Sequence, residues 1–427
     1  MAGDHSADGP ATTLEVVLER AVAGGVVLGR DHGGRVALVR GGLPGERVGI
    51  DVDEESPTLL RGAVRTVLDA SAQRVDPECE NVGRGCGGCD LQHASRSLQR
   101  EMRAEVVRDA LQHTARLPGS VAAALTIEET EEVPVASRTT LRTVVTDDGT
   151  LGLRRFGSHD RISLGTCPVA HPVLAASIRE ARFEGPGEVT LRGSVATGEV
   201  IALPAAPRDR SGRRRGRAPV ARRVPDGMRV LDGPQDRTGP RWITETVAGV
   251  SLRVSARSFF QSGPGPAAAL GRAVRRALGG FDPHRDRLVD LYGGVGLFTS
   301  LLGAEHSEVI EWSSPAVADA RVNTAQLGSR VTRSDVNRWR PAQADAVVAD
   351  PARSGLGSRG VDAVVATGAD TVALVSCDPA SMARDLAGLY DHGYVPGRIE
   401  LVDMFPHTHH VEAVSTLRRT GPRAGGG

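Results

Sequence analysis

Three observations make this sequence a multidomain α/β protein: short strands broken by glycine turns over its first seventy or so residues, a bunch of cysteines directly after them, and regular strand–helix alternation from about residue 256 onward. The parts they predict are an OB-like β-barrel over 10–70, a β-rich central domain over 75–255 that carries the cysteines, and a doubly wound, Rossmann-like domain over 256–420. At 427 residues the chain has room for more than one buried core.

Composition narrows the class. With 40% hydrophobic and 24% charged residues the chain reads as an ordinary soluble globular protein. The polar start MAGDHSADGP leads into no apolar segment, so a secretion signal is not expected. No run of eighteen apolar residues exists to span a membrane, and a cytoplasmic protein is the expectation. A formal net charge of zero excludes a globally basic RNA-coating protein but leaves room for a local basic groove. The chain contains no lysine, a composition that a GC-rich coding sequence explains without any functional meaning.

In chain order, VVLERAVAGGVVLGR, GGRVALVRG, RVGIDVDEE and RGAVRTVLD alternate apolar with polar residues between glycine-rich turns, the mark of a small barrel. A single amphipathic helix is expected over about 94–117. Within the mixed β-rich stretch that follows lies PRDRSGRRRGRAPVARR, residues 207–223, with eight arginines against one aspartate. It reads either as a phosphate-contacting surface or as a solvated, disordered loop. The tail GPRAGGG is expected to be disordered.

The alternating region opens with LVDLYGGVGLFTSLL, a buried strand, a glycine turn and a helix. Asp290, Tyr292, Gly293, Gly294 and Gly296 sit where a backbone turns tightly and lets a ligand approach. About twenty residues on, Glu311 ends the next strand, placed to accept from ribose hydroxyls, and Asp335 ends the third, near an adenine position. The spacing departs from the dinucleotide G-x-G-x-x-G and fits D-x-x-x-G-x-G, the pattern of S-adenosyl-L-methionine (SAM) methyltransferases.

Three further turns leave their strands at the same carboxyl edge, where open parallel sheets bind ligands: VVADPARSG, LVSCDPAS and LVDMFPHTHHVE. They bring Asp350, Cys377 and Glu412 toward one place. A lone cysteine is more often a small buried hydrophobe than a nucleophile, and a lone glutamate more often a solvent-facing residue. A thiol, a carboxylate base and a methyl donor together suit methylation at carbon 5 of a pyrimidine. Thiolate addition at carbon 6 makes carbon 5 nucleophilic, and a base then removes its proton. His407, His409 and His410 flank the glutamate and are read as not binding metal.

At these residues the chain resembles the RNA uracil-5 methyltransferase family. Ser376-Cys377-Asp378-Pro379 matches its nucleophile turn, Asp350-Pro351-Ala352-Arg353 its Asp-Pro-Pro-Arg turn, and Phe405 to Glu412 its FP-x-T-x-H-x-E segment. Phe259-Phe260-Gln261 matches its FFQ segment. The resemblance implies Cys377 as nucleophile, Glu412 as base, Asp350 as the carboxylate that orients uracil, and Gln261 as a SAM contact. Three departures stand out: Ala352 for the second proline, Gly263 for the usual asparagine, and the bulky Trp312 after Glu311.

Five cysteines, three of them bunched, in a chain without an export signal argue for metal or catalysis over disulfides. Cys79, Cys86 and Cys89, with Cys167 as a fourth thiolate, suit either a [4Fe-4S] cluster or zinc by spacing alone. The resemblance implies the cluster, since ribosomal members carry C-x5-C-G-G-C-x-x-Q-H; here the first spacing is one residue longer. The spacing does not fit radical SAM chemistry. By resemblance the barrel is a TRAM domain, an RNA-binding module, and the substrate is a uridine of 23S ribosomal RNA, with a transfer-RNA T-loop uridine as alternative. A catalytically decayed iron-sulfur RNA-binding factor is the rival from another class. Neither DNA nor a membrane is an expected partner, and a monomer is expected.

Overall fold

The computed structural model describes residues 14–130, 132–209, 211–231 and 239–421. The polar start and the tail beyond Gly421 lie outside the described residues. Contacts divide the chain into two compact bodies: a smaller one of residues up to Glu78, Cys89–Asp109 and His407–His410, and a larger one of Cys79–Gly88, Ala110–Pro406 and Val411 onward.

In the smaller body β1 (Leu14–Val22), β2 (Val26–Asp31), β3 (Val36–Arg40), β4 (Arg47–Glu55) and β5 (Leu59–Asp69) close into a barrel in the order β1-β2-β3-β5-β4. Closure leaves no sheet edge to recruit a foreign strand. Alternation points Val16, Leu18, Val27, Val39, Val48, Ile50 and Leu60 inward, each essentially without exposure. After α1 (Glu80–Gly83), which belongs to the larger body, comes α2 (Arg96–Ala110), capped by Ser95, whose Oγ accepts from Leu98 N at 3.2 Å. Leu98 and Met102, four residues apart, join the barrel core with Leu91 and Ala94.

The one helix expected over 94–117 ends sooner. Past Ala110 the chain widens into a π turn over Leu111–Ala115, then Arg116 takes a left-handed conformation with φ 48°. Pro118 accounts for the stop, because its ring disfavours helical geometry in the residue before it. The smaller body also holds His407–His410, whose His407 carbonyl accepts from Asp90 N and Leu91 N, both at 3.0 Å. Gln99 Oε1 accepts from His407 N at 2.8 Å, and the His409 ring pairs with Asp90.

The larger body continues through α3 (Gly119–Ala124), β6 (Thr126–Glu129), β7 (Thr140–Val145), β8 (Leu151–Arg154), β9 (Arg161–Ser163), α4 (Ala175–Glu180), β10 (Arg182–Glu184), β11 (Glu188–Gly193), β12 (Val200–Ala205), β13 (Val220–Arg223), β14 (Met228–Val230), β15 (Trp242–Val247) and β16 (Val250–Ser255). A six-stranded sheet runs β14-β12-β11-β7-β8-β9, while β10 pairs with β13 and β15 with β16. Within residues 207–223 an isolated bridge between Arg208 and Arg214 closes a tight hairpin turn, and the segment ends in β13, which pairs with β10.

The alternating region is α5 (Pro264–Ala277), β17 (Leu288–Leu291), α6 (Leu297–Leu302), β18 (Ser307–Glu311), α7 (Ser314–Asn323), β19 (Arg330–Arg333), β20 (Ala346–Ala349), α8 (Gly357–Ala366), β21 (Thr371–Ser376), α9 (Pro379–Asp391), β22 (Tyr394–Leu401) and β23 (Ala413–Arg419). Its sheet runs β19-β18-β17-β20-β21-β23-β22-β6, parallel from β19 to β21, with β23 antiparallel to both β21 and β22. Every residue of β17, β20 and β21 is buried, as expected of central parallel strands covered by helices on both faces. The chain reverses direction across the sheet between β17 and β20, so a ligand crevice belongs at their carboxyl ends. Strand β6, which precedes the region by more than a hundred residues, was not foreseen as part of this sheet.

Candidate active site

The loop after β17 is built around two acids. Asp290 is fully buried, and its Oδ2 accepts from Thr299 N at 3.2 Å and Thr299 Oγ1 at 2.8 Å, which ties the loop to α6. Its Oδ1 has no partner among the described residues, and burial lifts the carboxyl to about 6. Glu311 spans the turn from the other side: Oε2 accepts from Gly294 N at 3.1 Å and Oε1 from Ser313 N at 2.7 Å. Each oxygen keeps the capacity to accept one further hydrogen bond, as from a hydroxyl. Gly296 takes a left-handed φ of 79°, which favours glycine, and a Cβ there would also crowd the Thr324 methyl at 2.9 Å. Tyr292 is left-handed at φ 60°, and its half-buried phenol is pushed up to about 12 by burial, with Asp385 and Asp335 adding to it. Asp335 follows β19 and caps a short 3-10 turn by accepting from Asn337 N at 2.9 Å.

A second segment enters after β16. Buried Asp319 on α7 accepts from Ser255 N, Ser255 Oγ and Ser258 Oγ, each at 2.7 Å, and so fixes the turn that delivers Phe259, Phe260 and Gln261. Phe259 is 69% exposed while Phe260 and Gln261 are buried. Gln261 Nε2 donates to Asp350 Oδ2 at 3.1 Å. Phe259, Gln261, Tyr292, Gly293, Gly294 and Asp350 line one cleft at the switch point. The departure at Gly263 has a steric cause, since a Cβ there would strike the carbonyl oxygen of Ser137.

The three groups expected to react come from three neighbouring strands. Asp350 leaves β20, Cys377 leaves β21, and Glu412 precedes β23. Register pairs Ser376 with Ala413, so the next residues, Cys377 and Glu412, stand opposite each other. The two Asp-Pro turns are laced together: Asp378 Oδ1 accepts from Ser381 N at 2.8 Å, and Ser381 Oγ donates to the Arg353 carbonyl at 2.9 Å.

The site is electrostatically strained. Burial, then the charges of Glu412 and Asp350, push the Cys377 thiol up to about 11, while Arg353 pulls it down. Burial and the neighbouring Asp290 raise Asp350 to about 7 against the pull of Gln261. Burial, then Asp350, hold Glu412 well above the ordinary carboxylate range. Groups of one sign in a dry cleft cannot all ionise together, an arrangement found at functional sites more than in structural cores. Sequence reasoning quoted Arg353 within its motif without assigning it a role. It missed Asp319, whose only signal was an acid on the apolar face formed by Ala316, Val317 and Ala320.

Of the four cysteines away from this cleft, Cys79, Cys86 and Cys167 belong to the larger body and Cys89 to the smaller. Burial raises the Cys86 and Cys167 thiols, and Cys79 raises both further. Sulfur acceptors are served by N–H donors, Asn81 Nδ2 to Cys79 at 3.7 Å and Gly88 N to Cys86 at 3.4 Å. Such donors suit thiolates that ligate a metal. No group of three or more metal-ligating side chains is assembled among the described residues.

Comparison with known proteins agrees with this geometry. Residues 329–420 match the family model described as tRNA (Uracil-5-)-methyltransferase. An uncharacterized RNA methyltransferase of Streptomyces avermitilis is 35% identical over 94% of this chain and 97% of its own length. The 23S rRNA (uracil(1939)-C(5))-methyltransferase of Chromohalobacter salexigens is 32% identical over 98% of this chain and 91% of its own. In fold, the chain is similar to the Pyrococcus abyssi tRNA (uracil-54, C5)-methyltransferase in complex with S-adenosyl-L-homocysteine, with a TM-score of 0.70 and 21% identity over 94% of this chain and 99% of that one. With relatives sharing about a third of its residues from end to end, and a thiol set among carboxyl groups at the switch point of its sheet, this chain belongs to the RNA uracil-5 methyltransferase family.

Proposed function

We propose that this enzyme converts a uridine of 23S ribosomal RNA to 5-methyluridine, with Cys377 as nucleophile and Glu412 as base. The observation that supports the reading is the register of β21 and β23, which ends at Ser376 and Ala413, one residue short of Cys377 and Glu412, with Glu412 and Asp350 both acting on the thiol. SAM, bound in the cleft lined by Gln261, Tyr292 and Gly294, supplies an electrophilic methyl group, with Asp290, Gly296, Glu311 and Asp335 shaping or contacting its site. The Cys377 thiolate adds to carbon 6 of the ring, and the electron pair moves to carbon 5 and the carbonyl oxygen. Asp350, fixed by Gln261, orients the uracil edge. Once carbon 5 is methylated, Glu412 takes its proton, the carbon–sulfur bond breaks and the thiolate returns.

The electrostatics suit this order of events. While sulfur is anionic, its charge opposes that of Glu412. Once sulfur is bonded to carbon the opposition ends and the carboxylate can serve as base. A target uracil within a paired or stacked region must first be unstacked to reach the thiol. Ala352 is exposed and Gly263 is sterically required, so neither departure removes a reacting group.

RNA carrying 5-fluorouridine tests the chemistry. A stable covalent adduct is expected with the native chain and none with Cys377→Ala. Ribosomal RNA is favoured by the full-length relatives that act on it. Transfer RNA is the second reading, favoured by the description of the matched family model. Mapping 5-methyluridine in both RNAs, with and without the gene, separates the two.

The remaining assignments follow the same reading. Cys79, Cys86, Cys89 and Cys167 would hold a [4Fe-4S] cluster, a reading supported by the N–H donors that serve the Cys79 and Cys86 sulfurs. The three parts over 10–70, 75–255 and 256–420 act as RNA-binding barrel, cluster domain and methyltransferase domain in a cytoplasmic monomer. No helix among the described residues is long and apolar enough to cross a membrane.

A further inference from the structure

The arginine hairpin between β12 and β13 has no part in the chemistry above. Its seventeen residues, 207–223, hold eight arginines and one aspartate, a surplus of seven positive charges. Since the whole chain is formally neutral, the rest of it carries a deficit of seven. A surplus of one sign gathered in so short a segment gives a chain of zero net charge a local site of attraction for a polyanion.

Hydrogen bonds within the hairpin engage some of its described arginines and leave others to solvent. Asp209 is its internal clamp: Oδ1 accepts from Ser211 N at 3.0 Å, Ser211 Oγ at 2.6 Å and Arg213 N at 3.0 Å, and Oδ2 accepts from Arg215 Nε at 3.1 Å. Arg208 and Arg214 pair across it as an isolated bridge, and Arg208 Nη1 donates to the Gly212 carbonyl at 2.7 Å. Spending its one carboxylate on the turn leaves Arg213, Arg214 and Arg217 exposed, with no acidic partner among the described residues. Further on, Arg222 is neutralised by Glu184 across the β10–β13 pair. A solvated surface built for stability would interleave both signs. This one collects a single sign around a tight turn.

We propose that this hairpin is a second RNA-anchoring surface, in which Arg213, Arg214 and Arg217 grip phosphodiester groups of the substrate away from the target uridine. The segment contains no aromatic residue, so it has nothing on which to stack bases. It therefore positions RNA without reading sequence. Guanidinium groups suit the task because each presents paired donors to phosphate oxygens. The inference rests on the reading of the chain as an RNA methyltransferase.

The test is a full-length Arg213→Gln/Arg214→Gln/Arg217→Gln variant, compared with the native chain for methylation of one RNA across 50–300 mM salt. The KM for RNA is expected to rise about tenfold or more, with turnover at saturating RNA within about twofold. The slope of log KM against log salt should become shallower by about 2–3, as three lost phosphate contacts require. The matching triple lysine variant should recover most of the affinity, because charge is retained. An unchanged KM and salt slope overturns the proposal, and so does a lysine variant as impaired as the glutamine one. If the native chain forms no 5-methyluridine in any RNA, the proposed function falls. The hairpin is then judged by fluorescence anisotropy of RNA binding, in which equal affinity of native and glutamine chains overturns it.

Discussion

Opposing charges meet at Cys377, and their balance can be measured. Two carboxyl groups and burial favour the thiol, while Arg353 favours the thiolate. With the thiol at about 11, roughly one molecule in ten thousand carries the thiolate at pH 7. Alkylation of the free enzyme by iodoacetamide should therefore be slow at neutral pH and rise about tenfold per pH unit through pH 9, because raising the pH of a group with an elevated pKa steadily recruits its reactive form. Glu412→Gln removes one of the opposing charges, so the variant should be alkylated several-fold faster at pH 8 by mass spectrometry, although it has lost turnover. The same variant should accumulate covalent RNA adduct, since methylated carbon 5 then keeps its proton. Fast, pH-independent alkylation would contradict the described environment. Cys377, Glu412 and Asp350 were legible in the sequence because each sits in a short contiguous motif. The counterbalance from Arg353 and the reason for Gly263 were not, because one depends on a charge and the other on a backbone carbonyl brought near by the fold.

Among the elements, the turn between β16 and α5 depends on a residue far from any motif. Asp319 is buried on α7, accepts three hydrogen bonds from Ser255 and Ser258, and lies 2.9 Å from Arg253 Nε. Replacing it by alanine strands those buried donors and removes the partner of a partly exposed Arg253, a loss of about 3 kcal/mol. Asp319→Asn keeps an acceptor oxygen and should lose less. If the turn positions Gln261 as described, the asparagine variant should show a raised KM for SAM with its fold intact by circular dichroism. An unchanged KM for SAM would make Asp319 a purely structural anchor. Periodicity could announce α7 but not this role, since hydrogen bonds between a helix and a remote turn leave no trace in local pattern. The barrel strands and the strands from β17 to β21 were legible for the opposite reason: alternation or uninterrupted burial marks each one locally. Where a local rule collided with a breaker, as at Pro118, the element ended earlier than its apolar spacing suggested.

Over the whole molecule, the division into three parts along the sequence meets a core that crosses one of the boundaries. Val133, Ile201, Leu203 and Leu231, from the central part, are buried in one cluster with Leu270, Val274, Leu288, Phe298 and Val414 from the alternating region. Strand β6 completes the same pattern by pairing in parallel with β22, through Arg398 to Leu401. Sequence order hides such sharing, because strand pairing and core contacts are settled by three-dimensional register and not by neighbourhood in the chain. The consequence is that the methyltransferase region should not fold by itself. A 256–427 fragment would expose the apolar side of α5 and leave β22 as a bare edge, each unfavourable for a soluble domain. Expressed alone, it should bind the dye ANS and lack a cooperative thermal transition, while a fragment beginning at Ala110 retains β6, the β15–β16 ribbon and the shared core and should melt cooperatively. If the shorter fragment instead melts sharply and binds SAM as the full chain does, the central residues are a covering layer, and the catalytic crevice owes its shape to the eight-stranded sheet alone.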